Sequence, residues 1–193
     1  MRKLNAALFI TLDGVVEAPG GEETIPEEVR GWSMPYTDDE VGQVIGAAMA
    51  ESDAMLLGRK TYEAFAAYWP SVPEDDFFSN VMNNRTKYVV STTMDKAEWK
   101  NSHLIKGDVV AELNKLKQQP GKDISIVGSG TLTRSLIEAD LVDELQLMLC
   151  PVVLGVGDRL FDDTHYSKSM KVLEVRAFGS GMTFLRFQPE KKA

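Results

Sequence analysis

Apolar and polar positions alternate along this chain between a period near two and a period near 3.6. Residues 3–12 form a short apolar run that ends at Asp13-Gly14 and reads as a first buried strand. Val41, Val44, Ile45, Ala48 and Met49 then recur at helical spacing, with Thr37 or Asp38 placed to cap the helix. Residues 54–57 are apolar but too few for a buried helix, so they predict a strand. Gly58 breaks that run, and a helix follows to about Tyr68, stopped by Pro70. Further on, the pattern predicts a short helix over 75–83, a strand over 86–92 and a brief strand over 103–105. A helix over 107–118 places Val109, Leu113 and Leu116 on one face and is closed by Pro120-Gly121. The strand at 123–127 runs into Gly128-Ser129-Gly130-Thr131, followed by a helix over 132–138 and a strand over 141–151. Strands at 170–177 and 181–188, joined by Phe178-Gly179-Ser180-Gly181, form a closing hairpin, and 190–193 is a charged tail.

Strands that alternate with helices and end in a hairpin predict an α/β fold with a mostly parallel central sheet and an antiparallel end. No linker or repeat interrupts it, so residues 1–193 are expected to form one domain. The long segment 15–37 contains Pro19, Gly20, Gly21, Pro26, Gly31 and Pro35. Because it also carries Trp32 and Tyr36, it reads as a packed lid or binding loop.

Composition narrows the partners. A net charge of -8 argues against nucleic acid or an anionic membrane. Hydrophobic content of 44% and charged content of 26% are those of a water-soluble globule. The N-terminal apolar run is too short for a signal segment and nothing else approaches a membrane span, so a cytoplasmic protein is expected. The single cysteine, Cys150, sits in an apolar run and reads as a small buried hydrophobe. His103 and His165 are too far apart for a recognised zinc motif, so no metal is expected.

Two stretches suggest chemistry. At Gly58-Arg59-Lys60-Thr61 a strand delivers the chain to a helix N-terminus, where free backbone N–H groups, the helix dipole and an arginine suit a phosphate. Gly128-Ser129-Gly130-Thr131 repeats this arrangement, with glycines that let a ligand approach the backbone. Strand ends of a parallel sheet share one rim, and Ser91-Thr92-Thr93 would bring hydroxyls to it. Together these features suggest an extended, multiply phosphorylated ligand such as a dinucleotide. Neither G-x-G-x-x-G nor G-x-x-x-x-G-K-[ST] is present, which excludes the Rossmann fingerprint and the P-loop.

Gly58-Arg59-Lys60-Thr61-Tyr62-Glu63 resembles the G-R-x-T-aromatic-E motif of dihydrofolate reductases. Val127-Gly128-Ser129-Gly130 stands where that fold has its second glycine-rich cofactor turn. Thr11-Leu12-Asp13-Gly14, Leu141-Val142-Asp143-Glu144-Leu145 and residues 151–161 resemble the reductase domain of bacterial riboflavin biosynthesis, the RibD C-terminal branch of the same superfamily. The resemblance spans residues 3–188. It implies the three-layer dihydrofolate reductase-like fold and NADPH as cofactor. Gly58, Arg59 and Thr61 match positions that hold its phosphates, with Arg59 the natural partner of a 2′-phosphate. Ser91 and Thr92 match the adenosine end, and Val127, Gly128, Ser129, Gly130, Thr131 and Leu132 the pyrophosphate turn. Ala7, Leu12 and Gly14 match the nicotinamide side.

One departure matters. Folate-reducing relatives carry a buried carboxylate on the first helix, and the family spacing places Gly42 there, with Asp38, Asp39 and Glu40 nearby as cap and dipole partners. Asp13 is the candidate catalytic group, to bind or protonate substrate; its alternative is a turn aspartate before Gly14. The expected function is NADPH-dependent reduction of a small pyrimidine- or pteridine-like heterocycle. The alternatives are dihydrofolate reduction and a nucleotide-binding protein without turnover. A homodimer is expected, because the riboflavin-type relatives are commonly dimers and the apolar run at 141–154 would suit an edge strand that recruits a partner.

Overall fold

The computed structural model describes residues 1–162 and 164–190; beyond Glu190, the charged tail expected at 190–193 lies outside the described residues. Eight strands form one sheet: β1 (Leu4–Thr11), β2 (Ser52–Gly58), β3 (Thr86–Val90), β4 (Ser102–Ile105), β5 (Asp123–Val127), β6 (Glu144–Cys150), β7 (Met170–Ala177) and β8 (Thr183–Pro189). Their order is β4-β3-β2-β5-β1-β6-β8-β7. The first six of these run parallel, and β8 and β7 close the sheet antiparallel. The α-helices are α1 (Asp39–Ala50), α2 (Arg59–Tyr68), α3 (Phe77–Asn84), α4 (Val109–Gln118) and α5 (Gly130–Glu138).

Alternation along the strands divides the core into three clusters on the two faces of the sheet. Leu4, Ala6, Leu8 and Ile10 of β1 point to one face with Ile124 and Ile126 of β5, where Leu113 and Leu116 of α4 and Leu136 and Ile137 of α5 cover them. The other face carries two clusters. One gathers Val41 of α1, Trp32 of the 15–37 segment, Met148 and Phe184; the other gathers Met55, Leu57 and Val89 with Tyr62 of α2 and Met82 of α3. The 15–37 segment is packed as expected: Ala18, Ile25 and Trp32 are buried, and Trp32 Nε1 donates to the Glu17 carbonyl at 2.7 Å.

Most boundaries shift by a residue or two from the sequence pattern, and two of the differences have a plain physical reason. The strand expected over 141–151 begins at Glu144; Leu141 and Val142 are buried in the core but precede the ladder. The strand expected over 86–92 ends at Val90, because Ser91 turns the chain. The place of β6 also removes the edge-strand argument. β6 is paired on both sides, by β1 and β8. The apolar edge is β7, where Val172, Leu173 and Val175 are exposed.

Lys87 on β3 is fully buried and has no carboxylate partner among the described residues. Its ammonium donates to the carbonyls of Asn83, Arg85 and Lys100 at 2.9–3.0 Å and sits 4.1 Å from the Trp99 ring centroid. Burial, followed by the nearby Lys100 charge, pushes its pKa down to about 8. Cys150 is buried as expected, and burial pushes its thiol up to about 12.

Candidate active site

The parallel strands end at one rim, and what starts there differs from helix to helix. Three helices begin on an aspartate. Asp38, Asp76 and Asp108 accept from the N–H groups of Val41, Ser79 and Ala111 at 2.9, 2.7 and 3.0 Å. α2 and α5 have no side-chain cap. α2 starts at Gly58, which has no side chain to offer. α5 starts at Ser129, whose hydroxyl is turned away to bond β2's last residue and Val127. The first-turn N–H groups of both helices therefore face the rim without a side-chain acceptor, an arrangement suited to an anion.

These two uncapped starts are neighbours, because β2 and β5 are paired. Gly58 N–H donates to Ser129 Oγ at 3.0 Å, and Ser129 N–H donates to Thr61 Oγ1 at 3.2 Å. Ser129 Oγ donates onward to the Val127 carbonyl at 3.2 Å. Gly128 has φ +58°, and a Cβ there would stand 3.4 Å from Thr61 Cγ2. At Gly130 a Cβ would fall 2.6 Å from Val16 Cγ2, so only glycine lets the 15–37 segment approach this turn. Leu132 packs across from Gly58, and Thr131 is exposed at the helix start. Below the turn, the Ala7 carbonyl accepts from Gly128 N–H at 3.2 Å, which joins the nicotinamide-side expectation to the phosphate-side one.

Arg59 stands at the outer end of this rim. Its guanidinium pairs with Glu63 at 2.8 Å, one turn along α2, and both side chains are about half exposed. An exposed pair of that kind is weak and yields readily to a phosphate. Ser91 is less available than the sequence suggests. It is buried, and its Oγ accepts from the N–H groups of Thr93 and Met94 at 3.2 and 3.0 Å. Thr92 is exposed beside it.

Asp13 is fully engaged. Its carboxylate accepts from Thr11 Oγ1 at 2.7 Å, from the N–H groups of Leu154 and Gly155 at 3.2 and 2.9 Å, and from Arg159 at 3.4 Å. The Thr11 hydroxyl above all, then the two amides, hold the carboxyl well below the usual carboxylate range against the effect of burial. This geometry fits the turn-aspartate alternative, with the carboxylate clasping the 151–160 loop to the end of β1. Leu12 is exposed at the same corner, and Gly14 N–H closes the turn onto the Thr11 carbonyl at 3.0 Å.

The face of the sheet toward α1 is less fully sealed than the other. Ala7 and Phe9 of β1 and Ser125 and Val127 of β5 remain partly exposed although they lie on the two central strands. Val44, Ile45 and Ala48 of α1 are partly exposed as well. Of the carboxylates at the start of α1, Asp38 caps the helix, Glu40 pairs with Arg176 and Asp39 is exposed; Gly42 has nothing within 4 Å of where a Cβ would be. On this face, beside Asp123 and Glu144, lie Asn5, Ser125 and Gln146, which the motif reading did not single out. The signal for them is present in the sequence as a polar residue at alternate positions of strands that are otherwise apolar.

The residues present fit a dinucleotide phosphate chain: two adjacent open helix starts, a glycine turn that a Cβ would obstruct, and hydroxyls and an arginine beside them. Comparison with known proteins places this arrangement in context. The model of the RibD C-terminal domain family matches residues 2–184. The uncharacterized protein YyaP of Bacillus subtilis (strain 168) is 32% identical over 184 residues, covering 94% of this chain and 92% of that one. A protein of Shewanella sp. PV-4 named for riboflavin biosynthesis superposes with a TM-score of 0.74 at 19% identity, covering 98% of this chain and 99% of that one. A pyrimidine reductase-like protein of Corynebacterium diphtheriae does so with 0.70 at 14% identity, covering 99% and 93%. At those identities the two structures speak for the fold.

Proposed function

This chain belongs to the RibD C-terminal domain family, and from that membership we propose that it is an NADPH-dependent reductase of a small heterocycle, pyrimidine- or pteridine-like. The observation that carries the cofactor reading is the pair of uncapped helix starts tied together by Ser129 and Thr61. NADPH, when bound, supplies the hydride. Arg59 would hold its 2′-phosphate, while Gly58 and Thr61 at the start of α2 and the N–H groups of the Gly128–Leu132 turn would hold the pyrophosphate between them. Ala7, Val127 and Leu12 provide the apolar surface beside the reacting end, and the 15–37 segment excludes water from it. Asp13 contributes by fixing the loop rather than by moving a proton.

Gly42, at the place of the buried carboxylate of folate-reducing relatives, argues against dihydrofolate reduction proper. The direct test is NADPH titration by fluorescence, followed by cofactor absorbance with aminopyrimidinones, dihydrofolate and simple imines. Binding with oxidation by a pyrimidinone supports the proposal. Binding without oxidation of NADPH by any of them leaves a nucleotide-binding protein without turnover. Oxidation with dihydrofolate restores the folate reading, and failure to bind NADPH overturns the proposal.

We also propose a homodimer, formed through the exposed apolar residues of β7. Val175→Lys should yield a monomer in light scattering with the fold retained by circular dichroism; an unchanged mass would place the contact elsewhere.

A further inference from the structure

A buried cation ties the loop after β3 to the end of α3. Residues 91–101 run from Ser91 and Thr92, the pair that the family resemblance sets at the adenosine end, to the start of β4. The near end of this loop is turned by Ser91 Oγ, which accepts from Thr93 and Met94. The far end is held by Lys87. Its ammonium donates to the Lys100 carbonyl of the loop and to the Asn83 and Arg85 carbonyls that close α3, where a helix C-terminus favours a cation. Three N–H groups meet three carbonyls, and the Trp99 ring of the same loop takes the charge on its face. Trp99 N–H in turn donates to the Tyr62 hydroxyl of α2 at 2.8 Å, and Trp99 Nε1 to Asn83 Oδ1 at 3.0 Å. The clasp thus joins the loop that carries Thr92 to the helix that begins with Arg59 and Thr61.

A neutral amine has two N–H groups and a lone pair, which a carbonyl oxygen repels. Loss of the proton therefore releases at least one of the three carbonyls and removes the attraction to Trp99. Two of the carbonyls belong to one helix end, whereas the Lys100 carbonyl and the Trp99 ring are what hold the loop. The loop has room to move, because a cavity of about 770 Å³ opens against Ala66, Ala67, Met94, Trp99 and Lys100. The groups around Lys87 leave its charge unbalanced. Lys100 of the loop opposes it, while Glu98 is taken by Lys96 at the surface. Tyr62 of α2 is bonded to Trp99, and the Arg85 guanidinium is turned to Ser52 Oγ at 3.0 Å. The strand neighbours, Met55 on β2 and Ser102 on β4, carry no charge. Resting on the reductase reading above, we propose that Lys87 is a positioning residue for the adenosine end of the cofactor, acting through the 91–101 loop while its side chain is protonated.

Tryptophan emission and NADP⁺ affinity of the full chain, followed across the titration of Lys87, test this. The wild type should show an emission change with a midpoint at about 8 and bind NADP⁺ about three- to tenfold less tightly above it. Bound NADP⁺ should move that midpoint upward, as linkage requires. Stability should run the other way. Folded Lys87 gives up its proton before the unfolded chain does at the ordinary lysine value of 10.5, so its contribution to the melting temperature rises between about 8 and that value. A clasp serving the fold alone would not lose affinity in the range where it gains stability. Lys87→Met should flatten both profiles. Lys100→Gln keeps the backbone carbonyl, leaves the buried side chain untouched and removes the opposing charge, so it should raise the midpoint. NADP⁺ affinity that is flat across the emission change, a midpoint unmoved in Lys100→Gln, or a wild-type affinity profile in Lys87→Met would each overturn the proposal and leave the reductase reading standing. No NADP⁺ binding at any pH would overturn both.

Discussion

The two faces of the central strands share the same backbone and have opposite fates. On one face, Leu4, Ala6, Leu8 and Ile10 with Ile124 and Ile126 are at most 7% exposed beneath α4 and α5. On the other, Ala7, Phe9, Ser125 and Val127 stay partly open beneath α1, and the polar Asn5 sits among them. Successive side chains of a strand point opposite ways, so one residue step separates glue from site. The difference teaches that stability and recognition in this fold are interleaved along the chain rather than assigned to separate segments.

The contrast can be broken most severely on the sealed side. Leu8→Ala should cost about 3 kcal/mol of stability, read from urea denaturation, with NADPH affinity unchanged in the folded fraction. An equal loss of affinity would show that the faces are not separable. Asp13 lies at the boundary where β1 leaves the sheet, and Asp13→Asn should cost roughly 2 kcal/mol by weakening the clasp on the 151–160 loop. Asp13 holds its proton less readily folded than unfolded. Its contribution is therefore complete above the ordinary carboxyl value near 3.8 and declines as the pH falls below it. Asp13→Asn should flatten that part of the acid-unfolding curve, and an unaltered curve would remove the clasp from the account. On the rim of the open side, Arg59→Ala should reverse the first pattern: about 1.5–3 kcal/mol lost from NADPH binding, much less from NADH, and little from stability. Equal losses for both cofactors would show that Arg59 does not read a 2′-phosphate. The smallest effect belongs to α4, which covers the sealed face. Asp108→Ala should lower stability by about 1 kcal/mol through the lost cap and leave cofactor binding alone.

Element identity was legible in the sequence because period and punctuation agreed: a strand at residues 123–127 meeting a glycine turn, a helix stopped before Pro70, a hairpin around Gly179. The 141–151 reading overran for a physical reason. Leu141 and Val142 are buried without being laddered, and hydrophobicity records burial rather than pairing. Strand order was beyond a local pattern altogether. β5 inserts between β2 and β1, and β6 between β1 and β8, so the run taken for an edge lies inside the sheet. In the candidate site, the glycine turns could be read from their residues, whereas the engagement of Ser91 and Asp13 by neighbouring amides could not. Asn5, Ser125 and Gln146 were visible as polar breaks in apolar strands. They gain meaning only when β5, β1 and β6 are known to be adjacent.

The reciprocal bonds between the Gly58 and Ser129 turns have a metrical consequence. Because those turns cap neighbouring strands, their separation is one inter-strand step, about 4.8 Å, and the hydrogen bonds lock it. The molecule thereby carries a gauge. A ligand with two linked phosphoryl groups can span both jaws at once, and a ligand with one can occupy only a single jaw. ADP should therefore compete for this rim more effectively than AMP, and Thr61→Val, which frees one jaw, should narrow the gap between them.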